Sequence, residues 1–178
     1  MNHPMDPKPT RWTKSSIDNF AAEMARVLDI QPGGDLNTVV ENIGGEIVYG
    51  WRSLDEVSGG SIVVRKINDF TIYLSEITSP KRDRFTIAHE LGHLCMHYNP
   101  LIELHGEGTV MRATREKRQG DPDHERAEWE ANWFAAGFLM PRDIFRQKSA
   151  NLNTEQLATY FNVSEAAAEI RKKTLGIQ

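Results

Sequence analysis

The sequence predicts an α+β fold in which a small antiparallel sheet of three strands packs on helices. Three observations lead to this prediction. Apolar residues recur first at helical spacing, then alternate with polar residues over three short segments, and then return to helical spacing. The chain has 178 residues, of which 39% are hydrophobic and 26% charged, so it can form one domain with a sizeable core.

The chain is expected to consist of three parts. Residues 1–13 are rich in proline and are expected to form a disordered leader. Residues 14–148 are expected to form the main domain, and residues 149–178 a C-terminal helical appendage.

Two helices are predicted before the sheet. Ser16 is a suitable N-cap for the first helix, which ends before Pro32. Asp35 can cap a second, shorter helix that ends at Gly44.

The strands are predicted from a spacing of two. Segments Glu46–Trp51, Gly60–Lys66 and Phe70–Glu76 are rich in branched and aromatic residues, and Asn68-Asp69 supplies a tight turn between the last two. The second and third strands should therefore form a hairpin.

Helical spacing returns at Ser79-Pro80, a serine N-cap followed by a proline at the first helical position. This helix is expected to extend to about His97. A long loop, Asn99–Pro122, should separate it from a further helix, Asp123–Met140. Two short helices, divided at Asn162, are predicted for the C-terminal residues.

A metal site is predicted on the helix that follows the sheet. His89 and His93 are four residues apart, so both imidazoles can reach one metal ion from the same helix face. Glu90 lies on the flank of that face, which suits a base acting on a metal-bound water. The alternative is two surface histidines that happen to have helical spacing.

A catalytic zinc site needs a third protein ligand and an open position. An extended His-x-x-Gly-x-x-His motif is excluded, because Met96 and Asn99 occupy the positions of its glycine and last histidine. A carboxylate on the helix after the loop is the better candidate, and Glu128 and Glu130 both lie there.

Four other residues of this region are candidates for different roles. His97 extends the histidine row and could be a fourth ligand or a substrate contact. Cys95 should face the core as a small hydrophobic residue. His105 and His124 are expected to be exposed, although either could move in to stabilise an oxyanion.

Composition restricts the possible functions. The net charge of −4 gives no general attraction to nucleic acid or to an anionic membrane. One cysteine precludes an internal disulfide, and we find neither a membrane-length apolar segment nor a signal peptide. A cytoplasmic location is expected.

Two motifs resemble those of the ImmA/IrrE family of metallo-endopeptidases. They are RFTIAHELGHLCMH and EWEANWFAAGFLMP, and the resemblance extends to the hairpin SGGSIVVRKINDFTIYLSE and the tail LATYFNVSEAAAEIRKKTLG. The resemblance implies a zincin-like metallopeptidase fold for the main domain. It also implies cleavage of a helix-turn-helix transcriptional repressor, which de-represses phage, mobile-element or stress genes.

The resemblance also suggests the third ligand. In similar enzymes the liganding glutamate precedes an Ala-Asn or Ala-Asp pair by three residues, which implies Glu128 and not Glu130. Asn132, one turn later, could orient a ligand. Zinc is the expected metal, and manganese is possible because imidazole and carboxylate accept both.

The expected mechanism is peptide hydrolysis by zinc on His89, His93 and Glu128, with Glu90 as the base. One alternative is a module that binds a repressor without cutting it. The other is a DNA-binding regulator, since the C-terminal helices resemble part of a helix-turn-helix. Direct binding of nucleic acid is not expected, because the chain is acidic.

Overall fold

The structure is a computed structural model that describes residues 3–50, 61–75, 78–114 and 120–177. Within these ranges helices and strands form one α+β body with a shared hydrophobic core. The elements are α1 (Lys14–Val27), α2 (Leu36–Asn42), β1 (Gly45–Val48), β2 (Ser61–Lys66), β3 (Asp69–Tyr73), α3 (Pro80–His105), β4 (Met111–Thr114), α4 (Pro122–Leu139), α5 (Arg142–Ser149), α6 (Thr154–Phe161) and α7 (Glu165–Leu175).

The sheet has four strands in the order β1-β3-β2-β4 and is mixed. The predicted hairpin of β2 and β3 is present, but the prediction of a three-stranded antiparallel sheet is wrong. β1 pairs with β3 and not with β2, its neighbour along the chain, and therefore runs parallel to its partner. β4 has four residues, too few to show an alternating pattern inside the predicted loop.

Several predicted boundaries differ from the observed ones. Thr13, not Ser16, is the N-cap of α1, and its hydroxyl accepts the amide hydrogen of Ser16. The predicted strand ends Trp51, Gly60 and Glu76 lie outside the described residues.

Helix α3 begins as predicted, with Ser79 as its N-cap, but it continues to His105 and includes Pro100. A proline inside a helix costs about 3 kcal/mol. Tertiary contacts offset this cost around Pro100. The hydroxyl of Tyr98 donates to the carbonyl of Arg65 at 2.7 Å, and Leu101 is completely buried. Such contacts are non-local, so periodicity alone does not reveal them.

Helices α3 and α4 pack closely at Gly92. A Cβ atom on this glycine would lie 3.1 Å from the ring of Phe134, closer than side chains normally approach. The close approach brings the histidine face of α3 against the glutamate face of α4.

The N-terminal segment is attached to the body of the protein, in contrast to the predicted disordered leader. The Met5 amide donates to the Val110 carbonyl at 2.8 Å, and the Arg112 amide donates to the Met5 carbonyl at 2.9 Å. Further along, Thr10 and Arg11 bind a side chain of α4. The partners of the N-terminal segment are more than 100 residues away along the chain, so no local pattern predicts these contacts.

The C-terminal helices follow the predicted division. Asn153 caps α6 through a capping box with Gln156, and Asn162 ends that helix in the left-handed conformation. Phe145 of α5 and Phe161 of α6 are buried and stack with ring centres 5.3 Å apart. None of the helices in the described ranges combines the length and the apolar composition that a membrane crossing requires.

Candidate metal centre

Three side chains from two helices converge on one point. The Nε2 atoms of His89 and His93 lie 3.1 Å apart. Glu128 of α4 places Oε2 at 3.3 Å from Nε2 of His89 and Oε1 at 3.1 Å from Nε2 of His93. Both histidines are buried, whereas the Glu128 side chain keeps 19% of its surface exposed. Solvent therefore approaches the convergent point from the side of Glu128.

The separations between these atoms match a metal site. Three ligand atoms bonded to one tetrahedral zinc ion at about 2.0–2.1 Å are roughly 3.3 Å apart. The observed separations are 3.1 Å between the two nitrogens, and 3.3 and 3.1 Å from the nitrogens to the two oxygens of Glu128. Two imidazoles and a carboxylate are also a donor set that zinc accepts in catalytic sites. The residues present therefore fit a zinc ion.

Glu90 lies beside the same point. Ligand atoms of His89, Glu90 and His93 all lie within 4.8 Å of one another, so these three residues could also hold a metal. Glu128 is the better third ligand, because its oxygens approach the histidine nitrogens more closely, to 3.1–3.3 Å. Glu90 is 1% exposed, and if Glu128 held the ion, the Glu90 carboxylate would be left for proton transfer.

The orientation of His89 is set by α4. Its Nδ1 lies 2.9 Å from Oδ1 of Asn132. An amide oxygen can only accept a hydrogen bond, so Nδ1 carries the hydrogen and Nε2 presents its lone pair to the convergent point. Asn132 thus contacts His89, the candidate ligand next to which the sequence placed it.

The orientation of His93 is set through His97. Nδ1 of His93 lies 2.9 Å from Nδ1 of His97, and Nε2 of His97 lies 3.0 Å from Oε2 of Glu130. A carboxylate only accepts, so Nε2 of His97 donates to Glu130 and, in the neutral ring, Nδ1 of His97 accepts from His93. Nε2 of His93 is then left with a lone pair, as a metal ligand requires.

Glu130 is held as a carboxylate by several further donors. The backbone amide and hydroxyl of Thr10 lie 2.8 and 2.9 Å from its Oε2. The Arg11 amide and Nε of Arg126 lie 2.8 and 2.9 Å from its Oε1. Burial raises the pKa of Glu130, but hydrogen bonds from His97, Thr10 and Arg126 outweigh burial and lower it to about 2.

His97 is neutral, because here burial outweighs the hydrogen bond. Burial lowers its pKa to about 4, because the charged ring loses hydration, even though the hydrogen bond to Glu130 favours the charged form. His97 is therefore an uncharged link between His93 and Glu130.

Glu128 is ionised. Burial raises its pKa, but hydrogen bonds from His89 and His93 outweigh burial and hold that pKa well below the usual range. Metal binding requires the lone pair of each Nε2, so any hydrogen that these atoms donate to Glu128 would be displaced when a metal binds.

The remaining predicted residues do not join the site. Cys95 is partly buried against the core, as expected, and burial raises its pKa to about 12, so the thiol is unreactive at neutral pH. His105 is exposed at the end of α3. His124 was expected to be exposed, but it is 7% exposed in the first turn of α4.

Sequence reasoning missed the pairing of His97 with Glu130. The row of three histidines at spacing four was visible, and so was Glu130. Their contact depends on the packing of α3 on α4 and on the N-terminal segment, both of which are tertiary features.

Comparison with known proteins identifies the family of this chain. The family model described as "IrrE N-terminal-like domain", of the peptidase class M78, matches residues 61–173, more than half of the chain. A solved structure, a Mycobacterium tuberculosis transcriptional regulator, is similar in fold with a TM-score of 0.58 and 17% identity. The match covers 86% of this chain and 45% of that one. The comparison with curated proteins found no significant match. The chain therefore belongs to the IrrE N-terminal-like peptidase family, as its resemblance to ImmA/IrrE proteins predicts, and membership implies a metallopeptidase.

Proposed function

We propose that this protein is a zinc-dependent endopeptidase that cleaves one specific protein partner, a helix-turn-helix transcriptional repressor. The observation that carries the proposal is the convergence of His89, His93 and Glu128 at 3.1–3.3 Å, with the carboxylate of Glu90 beside them. A purely structural metal site would have no use for that second carboxylate.

In this proposal His89, His93 and Glu128 would hold the ion. When bound, zinc supplies Lewis acidity toward the scissile carbonyl and lowers the pKa of a water molecule. Glu90 accepts the proton of the attacking water and delivers it to the leaving amine. Asn132 and His97 keep the two imidazoles in the tautomers that ligation requires.

That the substrate is a repressor is the most specific statement of the proposal. It rests on the family resemblance, and the similarly folded structure is itself named a transcriptional regulator. Since that likeness is at 17% identity and spans 45% of the other chain, it supports only the fold.

The test compares wild type with Glu90→Gln, a substitution that keeps the size of the side chain. Each protein is loaded with zinc and incubated with a purified helix-turn-helix repressor, and fragments are identified by mass spectrometry. We expect one cut in the repressor with wild type and none with Glu90→Gln, while both bind one zinc per chain. Cleavage by Glu90→Gln would refute the role of Glu90. An uncut repressor that binds both proteins equally would favour the sequestering module.

A further inference from the structure

A large cavity adjoins the metal centre. Its volume is about 910 Å³, and it lies between the start of α3, the second half of α4 and helices α1, α5 and α7. Asn132, whose side chain holds His89, forms part of its wall, and so does Thr86, one turn before His89. The cavity therefore reaches residues of α3 and α4 that neighbour one candidate metal ligand, His89.

The lining of this cavity is basic, although the chain as a whole carries a net charge of −4. Asp18 is the acidic residue among the described residues of the lining, and it already forms ion pairs with Arg142 at 2.8 Å and with Arg171 at 2.7 Å. The basic residues of the lining are Lys14, Lys81, Arg82, Arg142, Arg146 and Arg171.

One of these cations is buried with a donor group to spare. Arg171 is 3% exposed, its Nε donates to the carbonyl of Met140 at 3.0 Å, and its Nη1 contacts Asp18. Its Nη2 has no hydrogen-bond partner among the described residues. A buried, unsatisfied donor on a charged group is costly, and an anionic ligand would satisfy it.

The cavity also has an apolar side. Phe85, Trp133 and Ile170 line it, and Ile170 is 64% exposed. Its volume is at the upper end of the range of about 300–1,000 Å³ for small-molecule sites. This combination of size, apolar surface and positive charge suits several consecutive side chains better than the backbone of duplex DNA, which requires an exposed basic surface.

We propose that this cavity is the subsite that selects the substrate: it binds a protein segment that carries acidic side chains between apolar ones. The inference rests on the proposed endopeptidase function, since the segment would lead from the cavity to the metal centre. An acidic side chain would pair with Arg171 and with the exposed cations Lys81 and Arg82, and apolar neighbours would contact Trp133 and Ile170. Helices α5 and α7 would then serve as walls of the substrate site.

The experiment measures binding separately from cleavage. Full-length, zinc-loaded Glu90→Gln protein is immobilised and incubated with a library of proteome-derived peptides, and the retained peptides are sequenced by mass spectrometry. We expect enrichment of Asp and Glu next to apolar residues. The most strongly retained peptide is then resynthesised with Gln and Asn in place of its acidic residues, and we expect its Kd to rise about tenfold or more.

Variants of the protein locate the effect. In the same background, the pair Lys81→Gln and Arg82→Gln removes two exposed cations at the start of α3 and should weaken binding of the acidic peptide about tenfold. Arg112→Gln is the control, because Arg112 is an exposed residue of β4 outside the cavity lining. This substitution should leave binding of the acidic peptide unchanged. Arg171→Met, checked by its melting temperature, should also weaken binding.

The possible outcomes are distinct. Enrichment of basic or uncharged peptides, preferential retention of duplex DNA, or acidic binding that the cavity variants leave intact would each overturn the subsite. If wild type cuts nothing but Glu90→Gln retains acidic peptides through Lys81 and Arg82, the cavity stands as a binding site for acidic segments and the peptidase function fails.

Discussion

Nε2 of His97 lies 3.0 Å from Oε2 of Glu130, and both side chains are completely buried. This contact joins the metal centre to the N-terminal segment, because His97 contacts His93 on one side and Glu130 binds Thr10 and Arg11 on the other. The state of a candidate metal ligand therefore depends on residues at the start of the chain.

Glu130→Gln should weaken zinc binding. The amide can donate as well as accept, so it no longer forces His97 to donate from Nε2 or His93 to keep a lone pair on its own Nε2. Loss of such an orienting partner costs about tenfold to 100-fold in metal affinity. Competition with a chelator measures the change, and Glu125→Gln, an exposed residue of the same helix, is the control. An unchanged affinity in Glu130→Gln would refute the role of Glu130.

Glu128→Ala should abolish stoichiometric zinc. Its oxygens are the third set of donor atoms, 3.1–3.3 Å from the two Nε2 atoms. Metal content by mass spectrometry should show about one zinc per chain in wild type and in Glu125→Ala. Retention of a full equivalent in Glu128→Ala would instead favour Glu90 as the third protein ligand.

Thr10→Val should destabilise the protein. The substitution keeps the shape of the side chain but removes a hydroxyl that donates to Glu130 at 2.9 Å. A hydrogen bond to a charged group contributes about 1.5 kcal/mol or more, so urea unfolding should show a loss of this size. Thr159→Val is the control, because Thr159 is exposed and its hydroxyl contacts its own helix. It should change the free energy of unfolding by less than about 0.5 kcal/mol. Equal effects of the two substitutions would mean that the N-terminal segment is not anchored at Glu130.

The metal-free protein should lose stability between pH 6.5 and pH 4 through His97. Its pKa falls from 6.5 in the unfolded chain to about 4 in the folded protein. In this window the unfolded state binds the proton and the folded state does not, so the contribution of His97 is complete above pH 6.5 and is lost as the pH falls toward 4.

The size of this effect follows from the difference in pKa, which corresponds to about 3 kcal/mol. Urea unfolding in the presence of a chelator at pH 7 and pH 5 should show a smaller loss for His97→Gln than for wild type. Glu130 titrates lower, at about pH 2, and so contributes little in this range. If wild type and His97→Gln lost equal amounts of unfolding free energy between pH 7 and pH 5, His97 would not be the group responsible.

Local patterns were sufficient for most of the helices and for part of the site. Ser79 and Pro80 mark the start of α3, and the spacing of His89 and His93 places both on one face, because a helix repeats every 3.6 residues. The hairpin of β2 and β3 was also predictable from its turn and its alternation. These features depend on residues within a few positions of each other.

Other features of the fold and of the site depend on contacts between residues far apart in the chain, and the tertiary structure decided these. The direction of β1, the fourth strand β4 and the continuation of α3 through Pro100 follow from packing partners that no short window contains. The sequence by itself determined that two histidines and a glutamate share one helix. Glu128 and Glu130, two positions apart, point about 200° apart on α4. Only the packing of α4 and the N-terminal segment on α3 determined that Glu128 contacts His93 while Glu130 contacts His97, because these partners are distant in the chain.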